Sequence, residues 1–260
     1  MIHLFALLSL LLCGVCYTGF QNSSHFRNTG SRRSLLLLVF GSALLLRLLL
    51  AYTIHGFSND IACFAAWADR IFTLGPGQFY SAEMFTDYPP GFMYVLYLIG
   101  ALRSLLQIPY YSDLHILLLK LPAILCDIAC GFLLYREAVK RLHFSDLQGI
   151  FAASAYLFQP AVILNSSCWG QVDSVYTLMI ILMCLFLMKG NLLPAYAVYG
   201  LGVLLKPQML IFTPVLLTGI WDHVFLQDFS WRKFFYNLCG GLVVICGMLL
   251  LCAPFVLTAA

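Results

Sequence analysis

The chain has 260 residues, 62% of them hydrophobic and 10% charged, with a formal net charge of +3. Soluble domains carry roughly 25% charged residues. A water-soluble fold of this length could not cover so much apolar surface, so lipid is the solvent the composition demands. The small, scattered positive charge gives no footprint for nucleic acid.

A helix needs about 20 apolar residues to cross a bilayer. Residues 2–19 are apolar with no basic residue ahead of them, which favours an extra span over a signal peptide. Residues 1–33 thus read as an apolar segment followed by a basic cytoplasmic linker with Arg27, Arg32 and Arg33. Spans are expected at 34–54, 115–135, 148–166, 172–188 and 234–256. The run 193–221 is interrupted by Lys206-Pro207 and reads as two short helices meeting at a polar break, which is tolerated where it lines a cavity.

Lysine and arginine set the orientation. Arg27, Arg32 and Arg33 place the start of the 34–54 helix in the cytoplasm, so the segment 55–113 emerges outside. There Asp60, Asp69, Glu83, Asp87 and Asp113 outnumber Arg70 and Arg103. Arg136, Lys140, Arg141 and His143 then mark a cytoplasmic loop. The apolar stretch 91–107 conflicts with this if it crosses, so it is expected as a re-entrant or interfacial helix of the outer segment. In this topology Asp60, Asp87, Asp173, Lys206 and Gln208 share the outer face, and Lys189, Arg232 and Lys233 lie inside.

Several groups there can carry chemistry. Asn59-Asp60 precedes a short amphipathic helix lying on the membrane. Asp60 is either only its N-cap or a general base at a cavity mouth. Thr86-Asp-Tyr-Pro-Pro-Gly91 is a proline-fixed turn into a helix, and Cys168-Trp-Gly-Gln-Val-Asp-Ser174 joins two spans. Gln171, Asp173 and Ser174 can cap the second, and Trp169 suits an interfacial belt. Lys206 within an apolar run is costly unless it pairs or meets water, and beside a broken helix it suits a phosphate. Lys120 and Asp127 share a helix face, and Arg47 with Asp127 can form a structural ion pair inside the bundle. Most cysteines lie in apolar runs (Cys126, Cys130, Cys184, Cys246, Cys252) and say little about redox compartment. Cys13-x-x-Cys16 inside a leucine-rich segment is not read as a redox pair. The six histidines show no zinc-ligand spacing, and no nucleotide-binding glycine motif or serine-nucleophile elbow is present.

Taken together, Asn59-Asp60-Ile-Ala-Cys-Phe-Ala-Ala-Trp67, Asp87-Tyr-Pro-Pro-Gly91, Leu119-Lys-Leu-Pro-Ala-Ile-Leu-Cys-Asp127, Gln159-Pro160, Asn165, Trp169-Gly-Gln-Val-Asp-Ser174 and Leu205-Lys-Pro-Gln208 resemble the GT-C glycosyltransferases. The chain is most similar to the bacterial proteins related to GPI mannosyltransferases, over residue 34 to the end. The resemblance implies an all-α polytopic bundle of about seven to eight transmembrane helices, with a large first outer loop carrying interfacial or re-entrant helices. Residues 34–260 would form the catalytic module. Because the chain stops at Ala260 directly after an apolar helix, that module is expected to be C-terminally incomplete.

What the family implies for chemistry is a polyprenyl-phosphate sugar donor, a glycan, lipid or protein acceptor, and an active site on the outer face of a bacterial plasma membrane. Asp60 maps onto the family's catalytic acid. Asn59, Asp87, Tyr88, Gln171, Asp173, Lys206, Gln208 and Lys120 are the expected substrate-binding set, with Lys206 and Gln208 near the donor phosphate. A lipid phosphate leaves without metal help, so no cofactor is expected. A divalent metal held by Asp60 and Asp173 stays open, as does an acceptor-orienting role for Asp173. Three other readings compete, of which a purely structural membrane scaffold is opposed by the costly Lys206 break. A transporter or flippase of lipid-linked sugars would use the intramembrane charges, but there is no internal repeat and the acids gather at one face. A polysaccharide polymerase or ligase would be expected to use arginines in its outer loop, which here is acidic.

Overall fold

A computed structural model describes Gly14 and residues 29–81, 84–227 and 229–256. The apolar segment 2–19, Cys13, Cys16, Arg27 and Glu83 lie outside the described residues. Those that are described fold as helices joined by short turns, with no strand among them. The chain divides into two compact units.

The first unit combines the described part of Met1–Ile61 with Tyr111–Ser174. It contains α1 (Thr29–Thr53), the first turn of α2 (Ser58–Leu74), α4 (Asp113–Lys140), α5 (Asp146–Leu157) and α6 (Pro160–Ile163). A π-helical turn over Leu164–Trp169 continues α6. Ser112 caps α4 by accepting from the His115 amide at 3.4 Å. Ser145 and Gln148 form a reciprocal capping box at the start of α5. Small residues allow the helices to approach closely, as in other lipid-solvated bundles. A Cβ on Gly131 would fall 2.7 Å from Leu157, and one on Gly149 would fall 2.5 Å from Val139. Ala43, Ala51, Ala123, Cys130 and Ala153 are fully buried.

The second unit combines the described parts of Ala62–Tyr110 and Val175–Ala260. It holds the rest of α2, α3 (Pro90–Leu105), most of α7 (Asp173–Met188), α8 (Leu192–Leu205), α9 (Thr213–Trp221) and α10 (Trp231–Val256). Met183, Leu192, Ala195, Tyr196, Met209, Leu216 and Val224 form a buried apolar cluster. Phe64, Trp67, Tyr88 and Phe92 pack ring against ring with centroids 5.2–5.6 Å apart. Gly91 and Gly100 permit backbone contact, since a Cβ on either would lie 2.5 Å from the carbonyl oxygen of Leu204 or Ala68. Arg103 pairs with Asp69, and Arg70 donates to the carbonyls of Phe79 and Gln78 at 2.8 and 2.9 Å.

Four helical stretches are long and apolar enough to cross a membrane: Arg32–Thr53, Asp113–Lys140, Pro207–Leu226 and Trp231–Val256. The bent pair Asp146–Leu157 and Pro160–Trp169 makes up to five among the described residues, fewer than the expected seven to eight. The difference has a physical origin. The stretch expected as one helix over 148–166 is bent by 50° where Pro160 removes a backbone donor. α3, α7 and α8 have 16, 16 and 14 residues, short of the length a straight crossing needs. The run expected as two helices across 193–221 is α8, an extended Lys206, a 3-10 turn over Pro207–Phe212 and then α9. Long apolar helices of this kind are compatible with an integral, multi-pass membrane protein, and α10 is the most exposed of them. Only 6% of its apolar window is buried within the protein.

Candidate functional site

In the first unit the turn Trp169-Gly170-Gln171 closes on the start of α2. Gly56 and Gly170 both have φ of +92°, a left-handed conformation that glycine adopts at least cost. A Cβ on Gly56 would strike the Trp169 carbonyl, and one on Gly170 would come 2.5 Å from Ile61. The Phe57 amide therefore reaches the Trp169 carbonyl at 3.0 Å, and the two rings lie 5.4 Å apart.

This contact positions Asp60. Its Oδ2 accepts from Trp169 Nε1 at 3.0 Å and from Gln171 Nε2. Oδ1 is the carboxylate oxygen those two donors do not use. α2 begins at Ser58, so Asp60 stands inside the first turn rather than at the N-cap expected from the sequence. A carboxylate there still benefits from the helix dipole. Asn59, next to it, is exposed. Eight residues separate Asp173 from Asn165, whose Nδ2 donates to Asp173 Oδ2 at 2.9 Å. Asn165 Oδ1 is buried without a hydrogen-bond partner among the described residues.

Beneath this turn lies a buried polar network. Lys120 is fully buried, and its ammonium donates to the carbonyls of Ile54, Ser167 and Cys168 at 2.5, 2.9 and 3.3 Å. An ammonium has three donors, so Lys120 ties the end of α1 to the π turn. Asp127 is also fully buried and accepts from Arg47 Nε at 3.1 Å, Ser166 Oγ at 2.6 Å, Tyr156 at 3.4 Å and Ser174. The Arg47–Asp127 pair expected from the sequence is present. Ser166 and Ser174 flank the turn that carries Gln171 and Asp173, so this carboxylate anchors both ends of it.

The second unit gathers the other expected residues. Lys206 is extended (φ −153°, ψ 123°) and buried between α8 and the 3-10 turn. Its Nζ lies 5.7 Å from the centroids of both Tyr88 and Tyr176, within the range of cation–π attraction. Tyr88 belongs to the Asp87-Tyr-Pro-Pro turn and receives a 2.9 Å hydrogen bond on its carbonyl from the Tyr80 hydroxyl. Desolvation, with a smaller contribution from Cys252, pushes the Tyr80 phenol well above its usual range and keeps it a donor. Asp87 and Gln208 are exposed.

The nine expected residues thus fall into two sets. Asn59, Asp60, Lys120, Gln171 and Asp173 are in the first unit, and Asp87, Tyr88, Lys206 and Gln208 in the second. Sequence reasoning assigned Trp169 to an interfacial belt and did not foresee its bond to Asp60. It named Asn165 without a role and passed over Tyr176. The usable signal for Trp169 was its place two residues before Gln171, which puts both donors in one short turn. Among the described residues no three His, Cys, Asp or Glu side chains gather as a metal site. Set beside known proteins, the chain matches no protein-family model and no curated sequence.

Proposed function

We propose that this chain is a membrane glycosyltransferase of the GT-C type. It moves a hexose, mannose before glucose, from a polyprenyl-phosphate donor to a hydroxyl of a glycan, lipid or protein acceptor. The reaction takes place on the outer face of a bacterial plasma membrane. In this reading α7 and α8 also cross, with local thinning of the bilayer absorbing their short length. With the N-terminal apolar segment the bundle reaches about seven to eight crossings.

The observation that carries the proposal is the Asp60 carboxylate, set just beyond an apolar helix and oriented by Trp169 and Gln171 through one of its two oxygens. Asp60 takes the proton of the acceptor hydroxyl. The acceptor oxygen bonds to the anomeric carbon, and the bond from that carbon to the phosphate oxygen breaks. The lipid phosphate leaves with the electron pair. The resemblance gives the offsetting of the phosphate charge to Lys206 and Gln208. By the same resemblance Asp87, Tyr88 and Asn59 belong to the substrate-binding set and Asp173 orients the acceptor, while Lys120 supports the turn that holds Gln171.

The test is transfer of radiolabel from polyprenyl-phosphate-mannose, and then from the glucose donor, in membranes containing the protein at its full natural length. Asp60→Asn at unchanged protein level is expected to reduce transfer at least about 100-fold. Equal transfer by both proteins removes Asp60 from the chemistry.

A further inference from the structure

The second unit contains an apolar groove with a basic mouth, remote in sequence from Asp60. α8, α9 and α10 enclose a cavity of about 400 Å³ walled by residues such as Tyr199, Leu216, Phe234, Leu242 and Met248. Along α10 the lining extends from Phe234 to Met248. At 1.5 Å per residue that is about 21 Å, more than the roughly 15 Å of one leaflet's hydrocarbon. Asn237 lines this groove and also a cavity of about 650 Å³ at the start of α10, whose wall carries His223, Ser230, Arg232 and Lys233. Asn237 is common to both linings, so the apolar groove and the cationic cavity lie side by side.

Two further observations fix the level of that mouth. Trp231, Phe235 and Tyr236 are exposed beside the cations, as aromatic residues at a headgroup boundary are. Lys233 Nζ donates to the Gln227 carbonyl at 3.2 Å, which holds its stem along the cavity wall. Of the two acids near in sequence, Asp222 accepts from Gln227 Nε2 at 2.7 Å, and Asp228 lies outside the described residues.

We infer that this groove binds one anionic glycerophospholipid, with its phosphate against Arg232 and Lys233 and an acyl chain along α10. The inference rests on the membrane setting and uses nothing of the Asp60 chemistry. By the charge bias of the loops the site lies in the cytoplasmic leaflet, where anionic headgroups attract Lys and Arg. A second copy of the chain is a poor occupant. A two-fold contact sets the same patch against itself, so it would bring these cations against one another.

The experiment uses the purified full chain, delipidated in detergent and titrated with phosphatidylglycerol or phosphatidylcholine of identical acyl chains. Bound lipid is counted by native mass spectrometry. Phosphatidylglycerol is expected to bind roughly tenfold to thirtyfold more tightly. Arg232→Gln with Lys233→Gln is expected to bring it to the phosphatidylcholine level. Gly241 lines the groove, and a Cβ there meets no atom within 4 Å. A Cβ at Gly241 thus stands in open space, and Gly241→Leu is expected to project into the groove and weaken both lipids alike while the thermal midpoint stays put. Equal binding of the two lipids, unchanged binding in either variant, or displacement of phosphatidylglycerol by inorganic phosphate alone overturns the inference. Label transfer governed by Asp60 is independent of all these outcomes.

Discussion

In the first unit the buried charges are wired to polar partners: Arg47, Ser166, Ser174 and Tyr156 converge on Asp127, and Lys120 spends its donors on three carbonyls. In the second unit the buried cation Lys206 stands in a break between helices with two tyrosine faces beside it. The first arrangement fixes backbone, and its product is a turn rigid enough to aim Gln171 and Trp169 at Asp60. The second puts positive charge at an interruption in an apolar run, the place that the proposed reaction gives to the donor phosphate. On the proposed function, the contrast separates residues that build the site from residues that would meet the substrate. Lys120, expected as a substrate ligand, has the contacts of a builder.

The largest expected effect comes from breaking the wired unit. Asp127→Ala leaves Arg47 buried without its counter-ion, which costs about 3–5 kcal/mol. The thermal midpoint of the purified protein should fall sharply, and Arg47→Met combined with Asp127→Leu should recover most of it. A single variant as stable as the parent contradicts the anchoring role. Next in size is Lys120→Met, which removes charged donors from three carbonyls and is expected to cost about 2 kcal/mol. Its transfer activity should fall together with the stability of the turn, as followed by proteolysis within residues 164–171. A normal turn with lost donor binding would return Lys120 to the substrate side of the comparison.

Trp169→Phe keeps the ring contact with Phe57 and deletes one donor to Asp60. With the indole half-exposed, transfer should drop roughly fivefold with no change in folding. Smallest is the aromatic unit. Tyr88→Leu removes one of two faces beside Lys206, an interaction of about 0.5–1 kcal/mol, whereas Tyr88→Phe keeps it. Donor KM should rise several-fold in the first variant and stay level in the second. Equal effects would assign the role to the hydroxyl instead.

Much of this contrast was legible in the sequence. Arg47 and Asp127 stood out because charge inside an apolar span seeks a partner, and they pair. Lys206-Pro207 announced a break because proline removes a donor and cannot continue the ladder, and α8 ends there. Asp60, Gln171 and Asp173 were visible as polar residues at helix starts. The sequence could not say that Trp169 and Gln171 reach Asp60 across more than a hundred residues, since partner choice depends on how α1 packs against α4. Nor did it reveal the roles of Ser166 and Ser174, because serine is common at helix ends for local reasons. The bend at Pro160 was missed because hydropathy alone reads straight through a proline that membrane helices often tolerate.

The most direct test of the central claim, that the Asp60 carboxylate is the base, replaces it with one supplied from solution. Asp60→Gly is assayed for label transfer from polyprenyl-phosphate-mannose with and without formate. The account predicts negligible transfer without formate and partial, concentration-dependent return with it. Transfer at the parent rate in the absence of formate would contradict the account.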